Sequence, residues 1–147
     1  MGWSDWYECS FDSNGEIDLK PVERYAPNQP GIYAIAMKDA NYNDYVVQYI
    51  GMSTTSIWTR LKKHFTGKGN KYIQTRLEQK RHKHRTMEKV NALYFMYLET
   101  SKEQVRGMES LFVRGTVPIG NVQQNLSESW LPRELQDAKV EVELDDD

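Results

Sequence analysis

Two phenols, Tyr33 and Tyr49, a guanidinium, Arg60, an imidazole, His64, a carboxylate, Glu109, and a carboxamide, Asn121, follow one another along this chain. Arg60 and His64 stand four apart, so on a helix they share one face. The planar fork of an arginine holds an anionic oxygen better than a lysine does. One carboxylate with several waters is a common way to hold Mg²⁺. A phenol titrates at about 10, so a tyrosine acts as a base near neutrality only beside positive charge. Taken singly, each residue has a plainer reading. Tyrosines in strands are mostly core, and a lone arginine or glutamate on an amphipathic helix is mostly solvated. Order and setting must decide between the two.

The elements that would position these groups are legible. Gly31–Lys38 (GIYAIAMK) and Tyr45–Ile50 (YVVQYI) are β-prone, and the turn-forming residues of Asp39–Asp44 separate them. A hairpin would bring Tyr33 and Tyr49 together. Ser56 caps a helix predicted over Ile57–Phe65, with Ile57, Leu61 and Phe65 at spacing four facing the core and Trp58 at its edge. Thr66–Gly69 ends that helix, and a second begins near Asn70 and ends between Lys80 and His84. Ala92–Glu99 (ALYFMYLE) reads as a central strand. Ser101 and Gln104 form a capping-box pattern for a third helix, with Val105, Met108, Leu111 and Phe112 as its buried stripe and Gly115 at its end. Pro118–Asn121 reads as a turn.

Before this core, Trp6–Phe11, the turn Asp12–Gly15 and the apolar Ile17 and Leu19 read as an accessory hairpin, packed on the sheet or used for dimer contact. Pro21–Pro30 reads as a connector. After the core, Trp130–Pro132 anchors a short extension with a disordered acidic end. The expected division is therefore 1–29, 30–125 and 126–147, with the 147 residues forming one modest domain.

A net charge of −2 conceals segregation. Between Arg60 and Lys89 stand eleven of the 19 basic residues and only two of the 21 acids, Glu78 and Glu88. The positive candidates for contact with a polyanion are Lys62, Lys63, Lys68, Lys71, Arg76, Lys80, Arg81, Lys83 and Arg85. His82 and His84, inside the run Lys80–Arg85, are too closely spaced and too cationic in setting for a metal site. The single cysteine, Cys9, excludes an internal disulfide, and no apolar run approaches membrane-spanning length. No signal-peptide pattern opens the chain, so an intracellular location, cytoplasm or nucleoid, is expected.

Gly31-Ile32-Tyr33, Tyr49-Ile50-Gly51, Arg60 with His64 one turn on, Glu109 on a later helix and then Asn121 together resemble the GIY-YIG nucleases, over Pro30–Asn121. The resemblance implies an α/β (α+β) domain with a small, mainly antiparallel three-stranded sheet flanked by helices. It implies an endonuclease that hydrolyses DNA, with Tyr33 and Tyr49 managing protons and Arg60 holding a phosphate oxygen. His64 would bind the phosphate or carry a proton, Glu109 would hold Mg²⁺ (or Mn²⁺), and Asn121 would brace the site. Two departures stand out. Fifteen residues separate the two tyrosines, more than is usual, and Met52 occupies a position where many members have lysine. One site cuts one strand, so a homodimer would be needed for double-strand cleavage in one event. The alternative from another class is a nucleic-acid-binding module that keeps the fold without turnover.

Overall fold

The computed structural model of the chain describes residues 2–39, 41, 43–112, 115–126 and 130–142. Its centre is the antiparallel pair β2 (Gly31–Lys38) and β3 (Tyr45–Ser53). The second strand continues three residues past its expected end, so that Ser53 pairs with Gly31. β4 (Ala92–Glu99) pairs antiparallel with the other edge of β2 and occupies its expected bounds. The register between β2 and β3 shifts at Ile35/Ala36, which leaves Gln48 as an extra residue beside Tyr49. Such a bulge twists the strand locally and re-aims the side chains next to it.

The sheet has four strands, not three. β1 (Tyr7–Ser10) lies antiparallel against β4, giving the order β1-β4-β2-β3. The expected hairpin survives only as the turn Asp12–Gly15 and a bridge between Phe11 and Ile17. The chain then does not remain a connector: Lys20–Tyr25 forms α1, with Pro21 in its first turn, where the missing N–H costs nothing.

Alternation along the strands divides the core into two layers. Tyr33, Ile35, Leu93 and Phe95 face α2 (Ile57–Phe65) and α3 (Lys71–Arg81), whose Leu61, Phe65, Ile73 and Leu77 are buried there. Ser56 caps α2 by accepting the Thr59 N–H at 3.1 Å, and Asn70 caps α3 through its Oδ1. The opposite face, with Ile32, Ala34, Ile50, Met96 and Leu98, is covered by α4 (Lys102–Leu111) through Val105 and Met108. Ser101 and Gln104 make the capping box, but Leu111 is 64% exposed and does not join the stripe.

Beyond α4 the structure departs further from expectation. Gly115 opens a strand, β5 (Gly115–Pro118), instead of closing a helix, and Ile119–Gln123 forms the short α5 where a turn was expected. Trp130 stays 58% exposed, and it is Leu131 and Leu135 that hold the extension to the core. β6 (Lys139–Val142), within the stretch read as a disordered end, pairs with β5 and packs along β3. The physical reason is that Val140 and Val142 alternate into the core while Lys139 and Glu141 face outward, a two-residue period hidden by the acidic composition. Residues 143–147 lie outside the described residues.

Candidate active site

Three aromatic side chains meet under α2. The rings of Tyr33 and Tyr49 lie 6.1 Å apart, and the His64 ring lies 5.5 Å from the first and 4.8 Å from the second. The strand pairing creates this meeting, because Tyr33 faces Gly51 and Tyr49 faces Ile35 on one side of the sheet. Gly51 leaves the room for it. A Cβ there would stand 2.6 Å from the Tyr33 hydroxyl and 2.8 Å from the Tyr49 ring. His64 reaches the pair from the last turn of α2, one turn after Arg60.

The hydrogen bonds around His64 fix its chemical state. Its Nδ1 accepts the backbone N–H of Asn70 at 2.9 Å, and its Nε2 lies 2.9 Å from the Tyr33 hydroxyl. Burial, followed by the charges of Arg60 and Lys63, pushes its pKa down to about 3. The ring is therefore neutral near pH 7. With Nδ1 spent as an acceptor, the single proton sits on Nε2 and is donated to the Tyr33 oxygen. Tyr33 thus accepts from an N–H at the atom that would carry a phenolate charge. Gly69 packs over the imidazole, where a Cβ would come within 2.2 Å of Nδ1.

A further link runs outward. Asn70 donates its Nδ2–H to Glu141 Oε2 at 2.9 Å, so a carboxylate on β6 is joined through Asn70 and His64 to Tyr33. Beside Tyr49 the surface opens into a cavity of about 300 Å³ between β3, the start of α3 and the β5–β6 pair.

The GIY-YIG catalytic domain matches residues 29–110. The chain belongs to the GIY-YIG family. The matched segment covers more than half of the chain, and the antiparallel sheet between helices is consistent with the fold of this nuclease family. Comparisons with curated proteins and with solved structures found no match.

Within this GIY-YIG domain the expected site residues occupy different settings. Tyr33, Tyr49 and His64 form one cluster, and Arg60 acts on it through its charge. Both His64 ring nitrogens are engaged inside the protein, Nδ1 with the Asn70 N–H and Nε2 with the Tyr33 hydroxyl. Glu109 is half-buried on α4, the helix packed on the other sheet face. Asn121 lies exposed on α5, outside the matched segment, with its carbonyl accepting from Asn125 Nδ2 at 2.8 Å. Met52 is buried among the side chains under α4, pointing away from Tyr33. A lysine at that position would leave from the opposite face, so positive charge at the tyrosines comes from α2.

Of the nine predicted polyanion contacts, Lys63, Lys68, Lys71, Arg81, Lys83 and Arg85 are exposed. The other three have internal work. Lys62 lies 4.8 Å from the Trp58 ring centre, Lys80 donates to the Met87 carbonyl, and Arg76 bonds Gln48, Gln79 and Tyr72. Of the two other histidines, His84 caps a one-turn helix at Arg85–Met87, and both are exposed. Among the described residues no three His, Cys, Asp or Glu side chains group as a metal cage. A single carboxylate such as Glu109 fits Mg²⁺, which keeps most of its waters and takes further oxygens from substrate. Among the described residues no helix is long and apolar enough to cross a membrane.

Sequence reasoning missed Gly69, the Asn70 N–H and Glu141. The first two carried a signal, since a Gly-Asn step between two helices turns a backbone N–H back onto the preceding helix end. Glu141 carried none.

Proposed function

We propose that the chain is a metal-dependent endonuclease that hydrolyses DNA phosphodiester bonds. The observation that carries this reading is the directed chain Asn70 N–H to His64 Nδ1 and His64 Nε2–H to Tyr33. An N–H donor aimed at the Tyr33 oxygen, with the Arg60 charge nearby, would stabilise negative charge as it develops there during proton transfer. Tyr33 then takes the proton of the attacking water, while Tyr49, at the mouth of the cavity, positions that water. Tyr33 is fully covered in the free protein, so substrate must displace neighbouring side chains before it reacts. Arg60 holds a non-bridging oxygen as charge builds on phosphorus. Glu109 would hold the metal, which when bound neutralises charge on the phosphate and on the leaving oxygen. His64 acts through Tyr33 and is a positioning residue.

Supercoiled plasmid incubated with the protein in Mg²⁺ is expected to be nicked, with the activity abolished by EDTA and by Glu109→Ala. A wild type that binds duplex, branched and single-stranded DNA yet cuts none of them leaves the binding-module reading instead.

A further inference from the structure

The cavity beside Tyr49 is walled by elements that do not belong together in sequence, and one wall, β5–β6, lies beyond the matched catalytic domain. At its rim stands Tyr72, 49% exposed yet held in place. Arg76 donates to the Tyr72 hydroxyl at 2.6 Å and lays its guanidinium carbon 4.8 Å from the ring centre. Arg76 is itself held by the Gln48 and Gln79 side-chain oxygens at 3.3 and 3.2 Å. An exposed ring with this much internal support is a preorganised surface, and its support begins at the bulged residue next to Tyr49. Besides Tyr49 and Tyr72, the polar side chains lining the cavity are Gln48, Asn70, Thr116, Lys139 on the exposed side of β6, and the Glu141 carboxylate. A carboxylate at that point opposes phosphate but accepts hydrogen bonds from a base's amino group.

From this arrangement we infer that the cavity is a subsite for an unpaired nucleobase next to the scissile phosphate, stacked on Tyr72 and bounded by Glu141. The inference rests on the nuclease reading above and adds substrate selection to it. Stacking of a base on an aromatic ring contributes about 1–3 kcal/mol, or roughly five- to hundredfold in affinity. Because the cavity adjoins Tyr49, a base seated there would fix the register of the backbone at the reacting tyrosines. The β5–β6 pair would then govern which nucleic-acid structures are cut.

The test is a double-mutant cycle read by fluorescence anisotropy, using the full chain carrying Glu109→Ala to prevent turnover. The probes are labelled duplexes with one unpaired nucleotide, either bearing its base or abasic. The parent is expected to bind the base-bearing duplex roughly five- to hundredfold more tightly than the abasic one. Tyr72→Ala, a surface change that leaves the fold intact, should make the two affinities equal, and Tyr72→Trp should keep the preference. A preference of equal size in the parent and Tyr72→Ala, or none in the parent, overturns the subsite. Failure of the protein to bind either duplex would remove the nuclease reading as well, so the two losses are told apart.

Discussion

At the residue scale the site depends on His64 being neutral and correctly turned. A histidine whose folded pKa lies at about 3, below its ordinary 6.5, is not penalised above pH 6.5. Below that value the unfolded chain binds the proton and the folded chain does not, so stability falls by about 1.4 kcal/mol per pH unit until the folded pKa is reached. Urea midpoints at pH 7.5, 6 and 5 should therefore decline more steeply for the wild type than for His64→Gln; parallel declines would contradict a buried neutral ring. Gly51→Ala tests the close packing of the two tyrosines. Its Cβ would stand within 2.8 Å of both rings, so the substitution should cost about 1–3 kcal/mol in stability and most of the activity. Tyr33, Tyr49, Arg60, His64 and Glu109 were legible because their types and order form a pattern within about eighty residues of chain. The bond from Asn70 to His64 was not, since it is made by a backbone N–H, whose direction depends on the turn and not on the side chain.

At the element scale, local signals are legible in the sequence and long-range pairing is not. Ser56, Ser101 and the apolar spacing of α2 specify helices from within the segment, so the bounds of α2 and the start of α4 match expectation, whereas α4 ends at Leu111, short of Gly115. β1 finds its partner more than eighty residues away in β4, with Cys9 opposite Leu93, and nothing inside Tyr7–Ser10 names that partner. Cys9 offers a direct check of the pairing. Burial, then the Asp18 and Glu8 charges, push its thiol up to about 12, so little thiolate forms at neutral pH. Labelling by a thiol reagent should be at least about a hundredfold slower in the native protein than in urea. Rapid native labelling would show that β1 does not stay on the sheet edge. The β5–β6 pair was missed for the related reason that Lys139–Val142 is short and stands among acids.

At the scale of the whole molecule, charge is divided between a cationic α2–α3 side and an acidic remainder. The division itself was legible in composition, whereas the internal engagement of Lys62, Lys80 and Arg76 needed the packing of Trp58, Phe11 and Tyr72. Replacing Lys63, Lys68 and Lys71 by Gln should weaken duplex binding for all sequences alike. The slope of log K against log salt should become shallower by about 0.9 for each phosphate that the variant no longer neutralises. An unchanged slope would place the nucleic acid on another surface. In the proposed mechanism Tyr33 is the group that activates water. Single-turnover cleavage of a labelled duplex in Mg²⁺ by wild type and Tyr33→Phe, with binding measured alongside, tests this directly. The expected result is undiminished binding with cleavage slowed at least about a hundredfold. Equal cleavage rates would contradict it, and the catalytic role would then have to rest on a group other than Tyr33.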